Sequence, residues 1–123
     1  MRDLSLALCL LGTPALATGL EIDVAGDARG TIVIDLFEEV APQHVERITT
    51  LAAEDAYDDV VFHRVIDGFM AQTGDVEFGR MGQDMRMAGR GGSELPDLPA
   101  EFSDISFERG VVGMARAQSP DSA

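Results

Sequence analysis

Apolar and polar residues alternate through LEIDVA, residues 20–25, and β-branched residues crowd TIVIDLF, residues 31–37. Between them GDARG supplies glycine and aspartate for a reversal, so residues 20–37 read as a β-hairpin. The period then lengthens. In APQHVERITTLAAED the apolar Val45, Ile48, Leu51 and Ala52 recur at helical spacing behind Pro42, whose fixed φ suits a first helical turn. A helix over about 42–54 is expected, with its apolar stripe against the sheet. His44, near its start, reads as an ordinary surface residue rather than a ligand. Residues 60–67 return to β character, Gly68 interrupts, and 69–73 form another short strand. From 77 to 100 no period is sustained, and glycine, methionine, arginine and proline predict loop. Within FERGVVGMARA, the run 111–115 reads as a buried strand.

Residues 1–17, MRDLSLALCLLGTPALA, follow another pattern: Arg2, an apolar run, and a small-residue end with Ala15 and Ala17 flanking Leu16. That is the arrangement of a secretory signal peptide, cut after Ala17, which leaves residues 18–123 as the domain. A first strand or helix of the domain fits less well, because the run is too short to span a bilayer and Pro14 breaks a helix. Cys9 follows Leu8, where lipoprotein signals carry something small, so lipid attachment is not expected. Removal of the signal leaves no cysteine, which excludes disulfides, thiol catalysis and cysteine metal sites together. A periplasmic or secreted protein with no membrane attachment after processing is the expectation.

A length of 123 residues supports one core rather than two. The net charge of −13 alters the picture more, since all nine basic residues are arginine and none is lysine. Such a surface repels polyanions, so nucleic acid and anionic membrane faces are not expected as partners; the acidity serves solubility on solvated faces. The missing lysine also bears on the loop, where Gly79, Gly82, Gly89, Gly91 and Gly92 suggest a phosphate cradle that a P-loop would complete with lysine. In the same loop Met81, Met85 and Met87 invite a soft-metal reading, but methionines packing the loop onto the domain fit better.

The stretch with the densest chemistry is FHRVIDGFMAQTGD, residues 62–75. It resembles the signature segment of the cyclophilins, peptidyl-prolyl cis/trans isomerases, whose pattern runs close to FHR, two residues, GFM, one residue, then QGGD. EFSD followed by RGVVGMARA resembles a second block of the same family, in the same order. The resemblance covers the whole chain after residue 17 and is greatest to the secreted bacterial branch. It implies a mainly β protein, an antiparallel eight-stranded barrel with a helix over each open end. About five strands and one helix are predicted here. The family pattern continues beyond MARA through a Ser-Gln-Phe-Phe strand, a tryptophan or leucine and a histidine that complete the pocket. None of these follows MARA in the sequence, so an incomplete barrel is expected, lacking the last strands and second helix and leaving unpaired strand edges.

Rotation about the bond before proline faces a barrier of about 18–20 kcal/mol, and a catalyst must weaken amide resonance without breaking a bond. No nucleophile, metal or cofactor is needed. The resemblance makes Arg64 the catalytic residue: a guanidinium offers several fixed donors to a twisted amide. The alternative is a surface arginine paired with a nearby carboxylate. The resemblance further implies that Phe69 and Met70 wall the proline pocket and that Gln72 bonds the substrate backbone and helps hold the arginine. His63 has a supporting role, and Ala115, Arg116 and Ala117 lie along the substrate backbone. Thr73 stands where the pattern has its first glycine, and Arg116 where eukaryotic members have asparagine. Arg90, with Arg80 and Arg86, borders a neighbouring subsite and has two readings, attraction of acidic substrates or a solvated loop. The implied function is isomerisation of proline-containing polypeptides during folding of exported proteins, with little turnover expected of the 123-residue chain itself. The competing readings are a non-catalytic peptide-binding module or holdase, and an inactive fragment.

Overall fold

The computed structural model describes residues 18–123, so the expected signal peptide lies outside the described residues. Strands β1 (Gly19–Val24) and β2 (Gly30–Asp35) pair antiparallel, with Leu20 opposite Ile34 and Ile22 opposite Ile32. The period-2 pattern is obeyed along β1, where Leu20, Ile22 and Val24 are half-buried and the residues between them are exposed. On the outer side Thr31 Oγ1 donates to the Asp23 carboxylate across the pair at 2.9 Å.

Helix α1 spans Pro42–Ala53. Its entry residue Ala41 has no side chain able to cap the first turn, and Glu101 takes that place, accepting from the His44 amide at 2.9 Å and the Gln43 amide at 3.3 Å. His44 Nδ1 lies 2.6 Å from the same carboxylate, so His44 is half-buried and partnered rather than a bystander. The exit is a Schellman turn. Asp55 adopts a left-handed φ of 59°, its amide donates to the Ala52 carbonyl, and the Ala56 amide donates to the Leu51 carbonyl. The expected stripe is present, with Val45 and Leu51 buried and Ile48 and Ala52 half-buried. The polar ties described on the helix run to 96–101, through Glu101 and a 2.7 Å bond from Arg47 to the Pro96 carbonyl.

Strands β3 (Phe62–Ile66) and β4 (Met70–Thr73) form a second antiparallel pair. The described residues therefore carry four strands in two two-stranded sheets and one α-helix, mainly strand in its regular elements as expected, without barrel closure. The fifth strand expected over 111–115 is not formed, and all five residues are exposed. The Val111 amide turns back to the Glu108 carbonyl, and the Phe107 ring lies so close to Gly113 that a Cβ there would be 2.5 Å from it. A continuous apolar run encodes a strand only where a neighbour supplies a ladder, and among the described residues none runs beside this one.

The loop prediction over 77–100 holds, apart from a 3₁₀ turn at Met85–Met87. The methionines do not pack it down: Met81, Met85 and Met87 are 71%, 40% and 44% exposed. Polar bonds hold this region instead. Arg80 donates to the carbonyls of Val76, Asp58 and Ala56, at 3.1, 3.0 and 2.8 Å, joining the turn after α1 to the segment after β4. Among the described residues no helix is long and apolar enough to cross a membrane.

Candidate active site

The reversal between β3 and β4 is three residues, 67–69, with Gly68 at a φ of 72°, a conformation that side chains disfavour. That turn sets the register: Ile66 pairs with Met70, Val65 with Ala71 and Arg64 with Gln72. Paired residues project to the same side, and alternate residues return to it. Arg64, Ile66, Met70 and Gln72 therefore share one face, and Val65 and Ala71 occupy the other. Arg64 is exposed, whereas Met70 and Gln72 are half-buried. Among the described residues the Arg64 guanidinium makes no hydrogen bond or ion pair, and no bond joins it to Gln72. The amide thus lies beside the arginine without tethering it, and the guanidinium donors are free for a substrate. Phe69 is in the turn and 75% exposed, next to this face rather than inside a formed pocket.

His63 does not simply alternate away from Arg64. The register shifts between Phe62, opposite Thr73, and Arg64, opposite Gln72, so His63 is the extra residue of a β-bulge. Its Nδ1 is buried without a hydrogen-bond partner, and the ring lies against Gly89.

The substrate track expected at Ala115, Arg116 and Ala117 is not assembled on this face. All three are exposed, and Arg116 Nη1 donates to the carbonyls of Ala117 and Gln118, both at 2.9 Å. Its charge is engaged by its own segment because no strand ladder holds 111–117 extended. Of the loop arginines, Arg80 is committed to the three carbonyls above and Arg86 to Asp84. Arg80 is thus committed within the fold, while Arg86 shares its charge with a carboxylate two residues away on the exposed loop.

The residue that sequence reasoning passed over is Asp75, which ends the signature stretch. It is 5% exposed. One carboxylate oxygen accepts from the Glu77 and Phe78 amides at 3.0 and 2.9 Å, the other from Gly89 and Gly91 at 2.7 and 3.0 Å. Burial pushes this carboxyl up, but the amides of Phe78, Gly91, Gly89 and Glu77 outweigh it and hold the group below its ordinary value. The glycine cradle thus surrounds an anion after all, one supplied by the chain. A Cβ on Gly91 would come within 2.5 Å of the Asp75 oxygen, and one on Gly79 within 2.6 Å of its carbonyl, which explains those glycines. The signals were an aspartate two and three residues before amides it bonds and a glycine cluster in the following loop. Among the described residues no group of three or more His, Cys, Asp or Glu is placed to hold a metal ion.

Residues 20–123 match the family model described as cyclophilin type peptidyl-prolyl cis-trans isomerase/CLD. A probable peptidyl-prolyl cis-trans isomerase of Brucella suis biovar 1 is 57% identical over 96 residues, covering 76% of this chain and 49% of the relative. Peptidyl-prolyl cis-trans isomerase B of Escherichia coli is 36% identical over 94 residues, 76% of this chain and 52% of the relative. The chain thus spans about half the length of these curated relatives. No solved structure gives a significant match. With Arg64, Met70 and Gln72 on one hairpin face and the match running over 20–123, the chain belongs to the cyclophilin-type peptidyl-prolyl cis-trans isomerase family.

Proposed function

We propose that the β3–β4 face isomerises prolyl peptide bonds in polypeptide substrates, with Arg64 donating to the twisted amide, Gln72 bonding the substrate backbone and Phe69 and Met70 receiving the proline ring. The observation that carries this reading is the placement of an unpaired guanidinium opposite Gln72 and on the same face as Met70. A rigid planar donor can follow charge as it shifts on rotation about the C–N bond, and only interactions stronger in the transition state raise the rate. The test is two-dimensional exchange NMR on a proline-containing peptide with the 123-residue chain near stoichiometric concentration, where slow turnover is measurable. Arg64→Ala is expected to reduce catalysed exchange by at least about tenfold, equivalent to 1.4 kcal/mol of transition-state binding. Equal exchange with the wild-type and Arg64→Ala chains overturns the proposal, and retained peptide binding in both then favours a passive binder or holdase.

The reading extends to location. Residues 1–17 support export, and assistance to the folding of exported proteins in the periplasm or outside the cell follows from it. Fractionation of cells expressing the full chain tests this, with a product shortened by residues 1–17 expected outside the cytoplasm.

A further inference from the structure

The structure assigns Asp75 as a positioning residue for Arg64, acting through Gly89 and the ring of His63. This inference rests on the proposed role of Arg64. The Asp75 carboxylate draws in the Gly89 amide at 2.7 Å and the Gly91 amide at 3.0 Å, fixing the glycine-rich loop against the base of β4. Gly89 then abuts His63 so closely that a Cβ there would lie 2.9 Å from both Cδ2 and Nε2 of the ring. Among the described residues no hydrogen bond holds that ring, and its Nδ1 is buried without a partner. Gly89 therefore packs against the ring and limits where it can sit. His63 is also the extra residue of the bulge immediately before Arg64. A bulge redirects the side chains beside it, so displacement of His63 rotates the strand that aims the guanidinium. Asp75 itself is 5% exposed and meets no substrate.

The experiment compares the wild-type chain with Asp75→Asn, Gly89→Ala, His63→Ala and the Gly89→Ala/His63→Ala double variant. Asparagine keeps the shape of Asp75 but replaces one acceptor oxygen with a donor, which faces two amides. Intact β1–β2 and α1 amide resonances establish that each variant is folded. Asp75→Asn is expected to lower exchange at saturating peptide by about tenfold and change the apparent peptide Kd by less than about threefold, with shifted Arg64 resonances. A merely structural role weakens binding and exchange alike and leaves no such split. In the cycle, Gly89→Ala drives a methyl group into the His63 ring and reduces exchange, but has little further effect when His63 is already alanine. Backbone strain from the φ of 91° at Gly89 persists in both backgrounds and cancels. The inference is overturned if Arg64→Ala abolishes exchange while Asp75→Asn leaves the saturated rate and the Arg64 resonances unchanged. It is equally overturned if Gly89→Ala is as damaging without the His63 ring as with it. If Arg64→Ala leaves exchange intact, the proposed function itself fails, which separates the two failures.

Discussion

Replacing Asp75 with alanine removes both acceptor oxygens from four amides at once. The cost follows from where those amides lie. Glu77 and Gly89 are exposed and can turn their amides to water, whereas Phe78 and Gly91 are half-buried around the vacated carboxylate. A hydrogen bond to a charged group is worth about 1.5–3 kcal/mol, so the two less accessible amides give a loss of about 3 kcal/mol. That is a large fraction of a domain stability of about 5–15 kcal/mol, and here only Val45, Leu51 and Leu98 are buried apolar residues among those described. Urea unfolding followed by far-ultraviolet circular dichroism measures it. With a slope of about 2 kcal/mol/M, the midpoint falls by about 1.5 M and the slope stays constant. Amide exchange should accelerate most at Gly89 and Gly91. A loss under about 0.5 kcal/mol, the range of an ordinary surface substitution, would refute the reasoning.

The depressed carboxyls of Asp75 and Glu101 make the fold acid-sensitive. Burial raises both, but amides at Asp75 and, at Glu101, the His44 side chain with the His44 and Gln43 amides outweigh it. Their contribution is full above the ordinary values of 3.8 and 4.5 and is lost as pH falls through the lower folded values; a melting temperature that does not fall below about pH 4 contradicts this. Glu101→Gln should expose the first turn of α1, seen as selective loss of amide protection at Gln43 and His44 with the β3–β4 amides unchanged. Arg80→Ala leaves three carbonyls without their donor and should cost about 2 kcal/mol in urea unfolding, with Arg80→Lys recovering only part. Leu51→Ala, at a residue 8% exposed, should cost about 2–3 kcal/mol by the same assay, the lower end of the core range because so little surrounds it.

What sequence reading recovered depended on how local the encoding signal is. Both hairpins and α1 carry their instructions within a few residues: alternation in 20–25, Gly68 in a three-residue reversal, Pro42 at a helix start. The Arg64–Gln72 pair was legible through the family resemblance, and the 67–69 turn accounts for the register that sets the two residues opposite each other. Bonds that span the chain were not legible. Glu101 caps a helix 57 residues away, and Arg80 and Asp75 bind backbone carbonyls and amides, groups that every part of the chain offers. The run 111–115 failed for the opposite reason: its apolar residues state a need for burial without naming a partner, and Phe107 over Gly113 gives the segment a local fold instead.

The candidate site combines these two kinds of encoding. Arg64, Met70 and Gln72 share a face because of a turn six residues or fewer away, so that part of the chemistry is written in the hairpin. The direction of Arg64 is another matter, since the bulge at His63 is braced by Gly89, which in turn is held by Asp75. On the proposed role of Arg64, a substitution at Gly89 therefore acts on prolyl exchange at a distance, without changing the signature residues. On the proposed function, such a variant should resemble Arg64→Ala in exchange rate while Phe69 and Met70 stay unchanged. The motif specifies which groups take part, and the loop that follows it specifies where the charge is aimed.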